Sequence, residues 1–184
     1  LFPSWRFIER GGGTFGSLVD SLFGGRLEPR RLLVAETVGG NHREIGLRRL
    51  VQVEHTVALG GEDGFVERSA VAGQRHSELL LPMIQTALAE AGIGVSALDG
   101  IAFGAGPGSF TGLRIACGVA QGLALGADLP VIGIPTLAAM AEAARLRDGS
   151  CRIVAALDAR MREVYIAAYE YEAASWHERV APAV

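Results

Sequence analysis

Basic excess is missing from this chain of 184 residues, in which 17 Lys and Arg stand against 20 Asp and Glu for a formal net charge of −3. A protein that grips nucleic acid by its own surface carries a positive stripe, so direct nucleic-acid binding is not expected. Cysteine is scarce, with Cys117 and Cys151 alone and no CxxC spacing. That excludes a disulfide framework, and both read as buried thiols of a reducing compartment. No apolar run reaches the ~20 residues of a spanning helix. The longest weakly polar stretch, Ile115 to Leu125, has Arg114 at its edge. Residues 1–30 lack the positive end, continuous apolar run and small-residue cleavage site of a secretory leader, so a cytoplasmic location is expected.

Catalytic signatures are missing too. The histidines, His42, His55, His76 and His177, show no paired metal spacing, and no metal centre is expected. Ser109 lies in Gly-Pro-Gly-Ser-Phe rather than in a GxSxG elbow, and no His and Asp can be assigned to it. Asp158 and Glu163 flank a short turn, where solvated charges are far commoner than an acid/base pair.

What remains is a globular composition, 49% apolar and 20% charged, arranged in alternating elements. Leu32 to Ala35 is a short apolar run that suits a buried strand, and Thr56 to Leu59 and Gly64 to Ala70 flank a Gly-Glu-Asp-Gly turn, predicting a hairpin. Leu80, Leu81, Ile84, Ala87, Leu88 and Ala91 recur at helical spacing, predicting an amphipathic helix over 77–91 that Pro82 either bends or opens. Ile101 to Phe103 reads as a strand, Thr111 to Leu125 as a helix, Leu129 to Ile134 as a strand and Thr136 to Arg147 as a helix. Ile153 to Leu157 and Glu163 to Tyr169 read as a second hairpin. Strands alternating with helices predict an α/β layer architecture with parallel pairs.

Glycine is the abundant special residue, with 25 copies. The loop Gly104 to Arg114, GAGPGSFTGLR, leads from a strand into a helix and sets unpaired N–H groups at a positive helix end, where an anion can sit. It has no Lys after the glycines and misses GxGxxG, so it is neither a Walker A loop nor a dinucleotide fingerprint. A tight turn capped by Ser109 or Thr111 explains it equally. Beyond it, Gly118, Gly122 and Gly126 recur every four residues. Each interior glycine costs about 1 kcal/mol relative to Ala, so a neighbour is expected to press on this face, either the chain's own sheet or a helix of another chain.

The segments RHSELLLPMI (Arg75 to Ile84), AFGAGPGSFTGLRIACGVAQGLALG (Ala102 to Gly126), LPVIGIPTLAAMA (Leu129 to Ala141) and ALDARMREVYIAAY (Ala156 to Tyr169) together resemble the TsaB (YeaZ) family, in order and in spacing. The resemblance implies an α/β, actin-like and ribonuclease H-like (ASKHA) fold of two lobes with a mixed sheet and flanking helices. It implies a non-catalytic subunit that pairs with its paralogue TsaD, and through the complex with TsaE, in making threonylcarbamoyladenosine next to the anticodon of tRNA. A second TsaB is the alternative partner. The helix that starts at RHSELLLPMI and the helix after GPGSFTG form the contact in the family, which designates His76, Leu79, Leu80, Met83, Ile84, Leu113, Cys117, Gly118, Gln121 and Gly122 here. Glu36, at the end of the first strand, joins Gly106, Gly108 and Ser109 as candidate anion or nucleotide contacts. No cofactor is expected, with ATP or ADP the only candidates.

TsaD carries a metal-binding His-x-x-x-His pair where this chain has Thr136 and Met140, and neither can replace those ligands. The alternatives are a TsaD-like transferase or glycoprotease and a truncated, non-functional relative. The chain departs from the family pattern in residues 1–30, which match nothing in it, and in an insert at 38–55. The implied organisation is a first lobe over 31–150 and the start of an incomplete second lobe over 151–184.

Overall fold

The computed structural model describes residues 31–36, 55–61, 64–70 and 76–184. The unmatched segment 1–30 and, except for His55, the insert at 38–55 lie outside them. The described residues divide into two compact units, one ending at Ile134 and the other running from Pro135 to Val184.

In the first unit, β1 (Arg31–Glu36), β2 (His55–Gly61), β3 (Gly64–Ala70), β4 (Gly100–Gly106) and β5 (Val131–Pro135) form a sheet in the order β3-β2-β1-β4-β5. The expected hairpin is there, β2 pairing antiparallel with β3 and with β1. β1 runs parallel to β4, with Ala35 opposite Phe103, so Glu36 ends at the same edge of the sheet as the glycine loop that leaves β4. Among the described residues this unit carries two α-helices, α1 (His76–Glu90) and α2 (Phe110–Ala127).

Its core forms where apolar positions at helical spacing meet alternating strand positions. Leu80, Ile84, Ala87 and Leu88 of α1 and Ala120 and Ala124 of α2 pack with Val57, Leu59 and Ile101 of the strands. Pro82 lies well inside α1, not in its first turn. It has no N–H to donate to the preceding turn, and the Thr86 hydroxyl donates to its carbonyl at 2.9 Å.

The second unit begins with α3 (Thr136–Asp148), followed by β6 (Arg152–Arg160), β7 (Glu163–Glu172) and β8 (Ser175–Ala183), an antiparallel sheet in that order. α3 groups with the strands that follow it, although the sequence expectation assigns it to residues 31–150. Leu137, Ala138 and Ala141 pack against Ala155, Leu157, Ala167 and Tyr169. A hairpin alone is marginal in water; here a helix covers one face and a third strand extends the sheet.

A carboxylate lies within this core. Glu142 is fully buried and accepts hydrogen bonds from Arg145 Nε and Nη2, both at 2.7 Å, and from Trp176 Nε1 at 2.8 Å. The Arg145 guanidinium also stacks over the Tyr171 ring at 4.2 Å. The Trp176 bond fastens α3 to β8, while the two Arg145 bonds, made within α3, pair the carboxylate with a cation, the arrangement that makes a buried charge tolerable.

Candidate interaction face

The glycine loop is built to launch α2. Gly106 has φ of 95°, a conformation that favours glycine, and a Cβ there would come within 3.1 Å of Leu113 Cδ1. Ser109 is the N-cap, its Oγ accepting from the Gly112 N–H at 3.4 Å. The half-buried Gly106, Gly108 and Ser109 do come together at the edge of the sheet where Glu36 ends β1. Ser109 Oγ is engaged in capping, which accounts for the residue without a ligand.

α2 has two unlike sides. Gly112, Ala116, Ala120 and Ala124 are buried, whereas Gly118, Gly122 and Gly126 are exposed, with nothing among the described residues within 4 Å of where a Cβ would stand. Of the two neighbours expected for the glycine stripe, the chain's own sheet is not the one that presses on it. The reason is helical geometry: a two-residue offset turns the helix by about 200°, so alanines facing the sheet put the glycines on the far side. By length and composition α2 could cross a membrane, contrary to the expectation from its shorter apolar run. In the fold its alanine side is part of the first unit's core.

The structure sorts the residues designated for the contact. Leu80 and Ile84 are 0% and 2% exposed, so they belong to the chain's own core and cannot touch a partner, a correction to their designation. Leu79, Met83, Leu113 and Cys117 are half-buried, and Gly118, Gln121 and Gly122 are exposed. His76 opens α1. Cys151 is exposed, with Sγ 3.5 Å from the Gly149 carbonyl, and Cys117 only half-buried, which corrects the reading of two buried thiols.

Residues that the sequence reading passed over complete the face. Phe110 is 68% exposed, Leu125 87% and Leu81 of α1 44%. The Arg114 guanidinium lies 3.8 Å from the centroid of the Phe110 ring. Counting back from Gly118 in fours gives Arg114 and Phe110, so the spacing that revealed the stripe extends to them as well. The expected second strand pair is present, but Thr136 is buried at the start of α3 and Met140 packs against the second unit's core. Both matched positions of the transferase's metal pair therefore serve packing. Among the described residues no group of three or more His, Cys, Asp or Glu is disposed to hold a metal ion.

A mixed five-stranded sheet in the order 3-2-1-4-5, followed by a second α/β unit, is the architecture of the actin-like, ribonuclease H-related class. The family described as "TsaD: tRNA N6-adenosine threonylcarbamoyltransferase" matches residues 64–184, and the chain belongs to that family. Within it, the chain is 44% identical over 130 residues to the TsaB threonylcarbamoyladenosine biosynthesis protein of Escherichia coli, covering 70% of this chain and 56% of that one. It is 55% identical over 95 residues to the TsaB protein of Haemophilus influenzae, covering 52% and 40%. The solved YeaZ from Pseudomonas aeruginosa superposes with a TM-score of 0.70 at 38% identity, covering 84% of this chain and 66% of that one. The TsaB resemblance expected from the motifs thus holds in sequence and in fold. The chain spans about half the length of the curated relatives it matches.

Proposed function

We propose that this chain is a non-catalytic partner subunit of a cytoplasmic complex that makes threonylcarbamoyladenosine next to the anticodon of tRNA. The exposed glycine stripe of α2 carries the reading. Three glycines weaken a helix by about 1 kcal/mol each, no neighbour among the described residues uses the room they leave, and Phe110 and Leu125 of the same helix and Leu81 of α1 are exposed apolar side chains. A partner helix packed against this groove accounts for both features. The partner is the paralogous threonylcarbamoyltransferase, with TsaE joining through the complex and a second copy of the chain as the competing occupant. Packing at Thr136 and Met140 favours this reading over a transferase or protease activity of the chain itself.

The reading places tRNA contact on the partner. Co-purification of the tagged chain with the threonylcarbamoyltransferase of the same genome tests it: a stable complex is expected, and its absence would overturn the proposal.

A further inference from the structure

α2 holds a single charged residue in 18, Arg114. Its guanidinium is stacked on the exposed ring of Phe110, and among the described residues Arg114 has no ion pair. Neither side chain serves the chain's own core: the ring is two-thirds in water, and the cation stands above it at the head of the glycine groove.

We infer that Phe110 and Arg114 form the polar anchor of the docking face and select a partner helix that presents a carboxylate beside an apolar residue. This rests on the partner-subunit reading above. Stacking fixes the planar fork of an Arg while leaving its edge N–H groups free for bidentate bonding to a carboxylate. Arg and aromatic side chains at the centre of a desolvated contact are the groups on which binding energy concentrates. Apart from the neutral Gln121 the face is apolar or small, so this one cation sets orientation along the groove.

Charge complementarity decides the occupant. α2 has no acidic residue, so the glycine stripe of a second copy brings no carboxylate of its own to Arg114. On α1, Glu90 is paired with Arg68 and Glu78 has an interaction of its own. Arg114 therefore favours a heterologous partner, the threonylcarbamoyltransferase, over the homodimer.

The test is a calorimetric titration of that transferase with the wild-type chain and with Arg114→Gln, Arg114→Lys, Phe110→Ala and Gly122→Leu, each checked for folding by circular dichroism. Arg114→Gln and Phe110→Ala should each weaken binding roughly tenfold or more, Arg114→Lys should recover only part of the loss, and the salt dependence should flatten in Arg114→Gln. Self-association of the chain should not change. Tight binding by Arg114→Gln alongside lost binding by Gly122→Leu would overturn the anchor and leave the docking face standing. No binding by the wild type would overturn both.

Discussion

Ala120 and Gly122 stand on opposite sides of α2: Ala120 is 1% exposed inside the first unit's core, and a Cβ at Gly122 would meet nothing within 4 Å. One side of the helix closes the domain, and the other is left smooth and open. Stability and recognition are therefore separable on this helix.

That separation gives a prediction of opposite signs. Gly118→Ala and Gly122→Ala add helix propensity without a clash, so each should stabilise the chain by about 0.5–1 kcal/mol. The same changes fill the groove and should weaken partner binding. Thermal unfolding and a binding titration on the same variants check both halves.

Removal of the buried carboxylate should be severe. Glu142→Ala strips Arg145 and Trp176 Nε1 of their acceptor and opens a space in the core, for a loss of roughly 3 kcal/mol or more. Trp176→Phe deletes a single donor and should cost about 1 kcal/mol. Denaturant unfolding of the two variants measures the ratio.

The Tyr169 hydroxyl is buried without a hydrogen-bond partner, and burial, with a smaller contribution from Glu178, raises its pKa. The folded chain then holds the proton more tightly than the unfolded one. Stability should be unaffected below the ordinary tyrosine pKa of about 10 and should fall as pH rises from there through the folded value. Tyr169→Phe should unfold at the same denaturant concentration or a higher one near neutrality and should lose this part of the alkaline decline. Denaturant curves from pH 8 upward show whether it does.

β8 was not legible in the sequence, and its turn explains why. Ala173 and Ala174 have φ of 50° and 62°, the left-handed pair that a two-residue hairpin needs, but Ala-Ala is not the Asn-Gly or Asp-Gly signal that would announce it. Replacing the pair with Asn-Gly should stabilise the second unit by about 1–2 kcal/mol, read as a rise in its unfolding midpoint.

The other elements were legible because their residues obey one rule at a time. Gly-Glu-Asp-Gly between apolar runs announced the β2–β3 hairpin, and the glycine loop with Ser109 or Thr111 as cap announced α2, which begins at Phe110, one residue before the expected Thr111. The buried Glu142 was not foreseeable, since a glutamate in an Ala-rich helix reads as a surface residue until the strand that carries Trp176 is in place. At the docking face the error was geometric. Leu80 and Ile84 were designated for the contact by the family resemblance, whereas the helical period directs them into the core and leaves Leu81 outside. The same period shows that glycines offset by two from a buried alanine stripe face solvent.

The central claim is that the smooth face of α2 seats the threonylcarbamoyltransferase. Titration of that enzyme with the wild-type chain and with Gly118→Leu/Gly122→Leu tests it most directly, because the double variant alters only the open side of the helix. The account predicts measurable wild-type affinity and its loss by a hundredfold or more in a variant that remains folded. Equal affinity of the two proteins for the enzyme would contradict it.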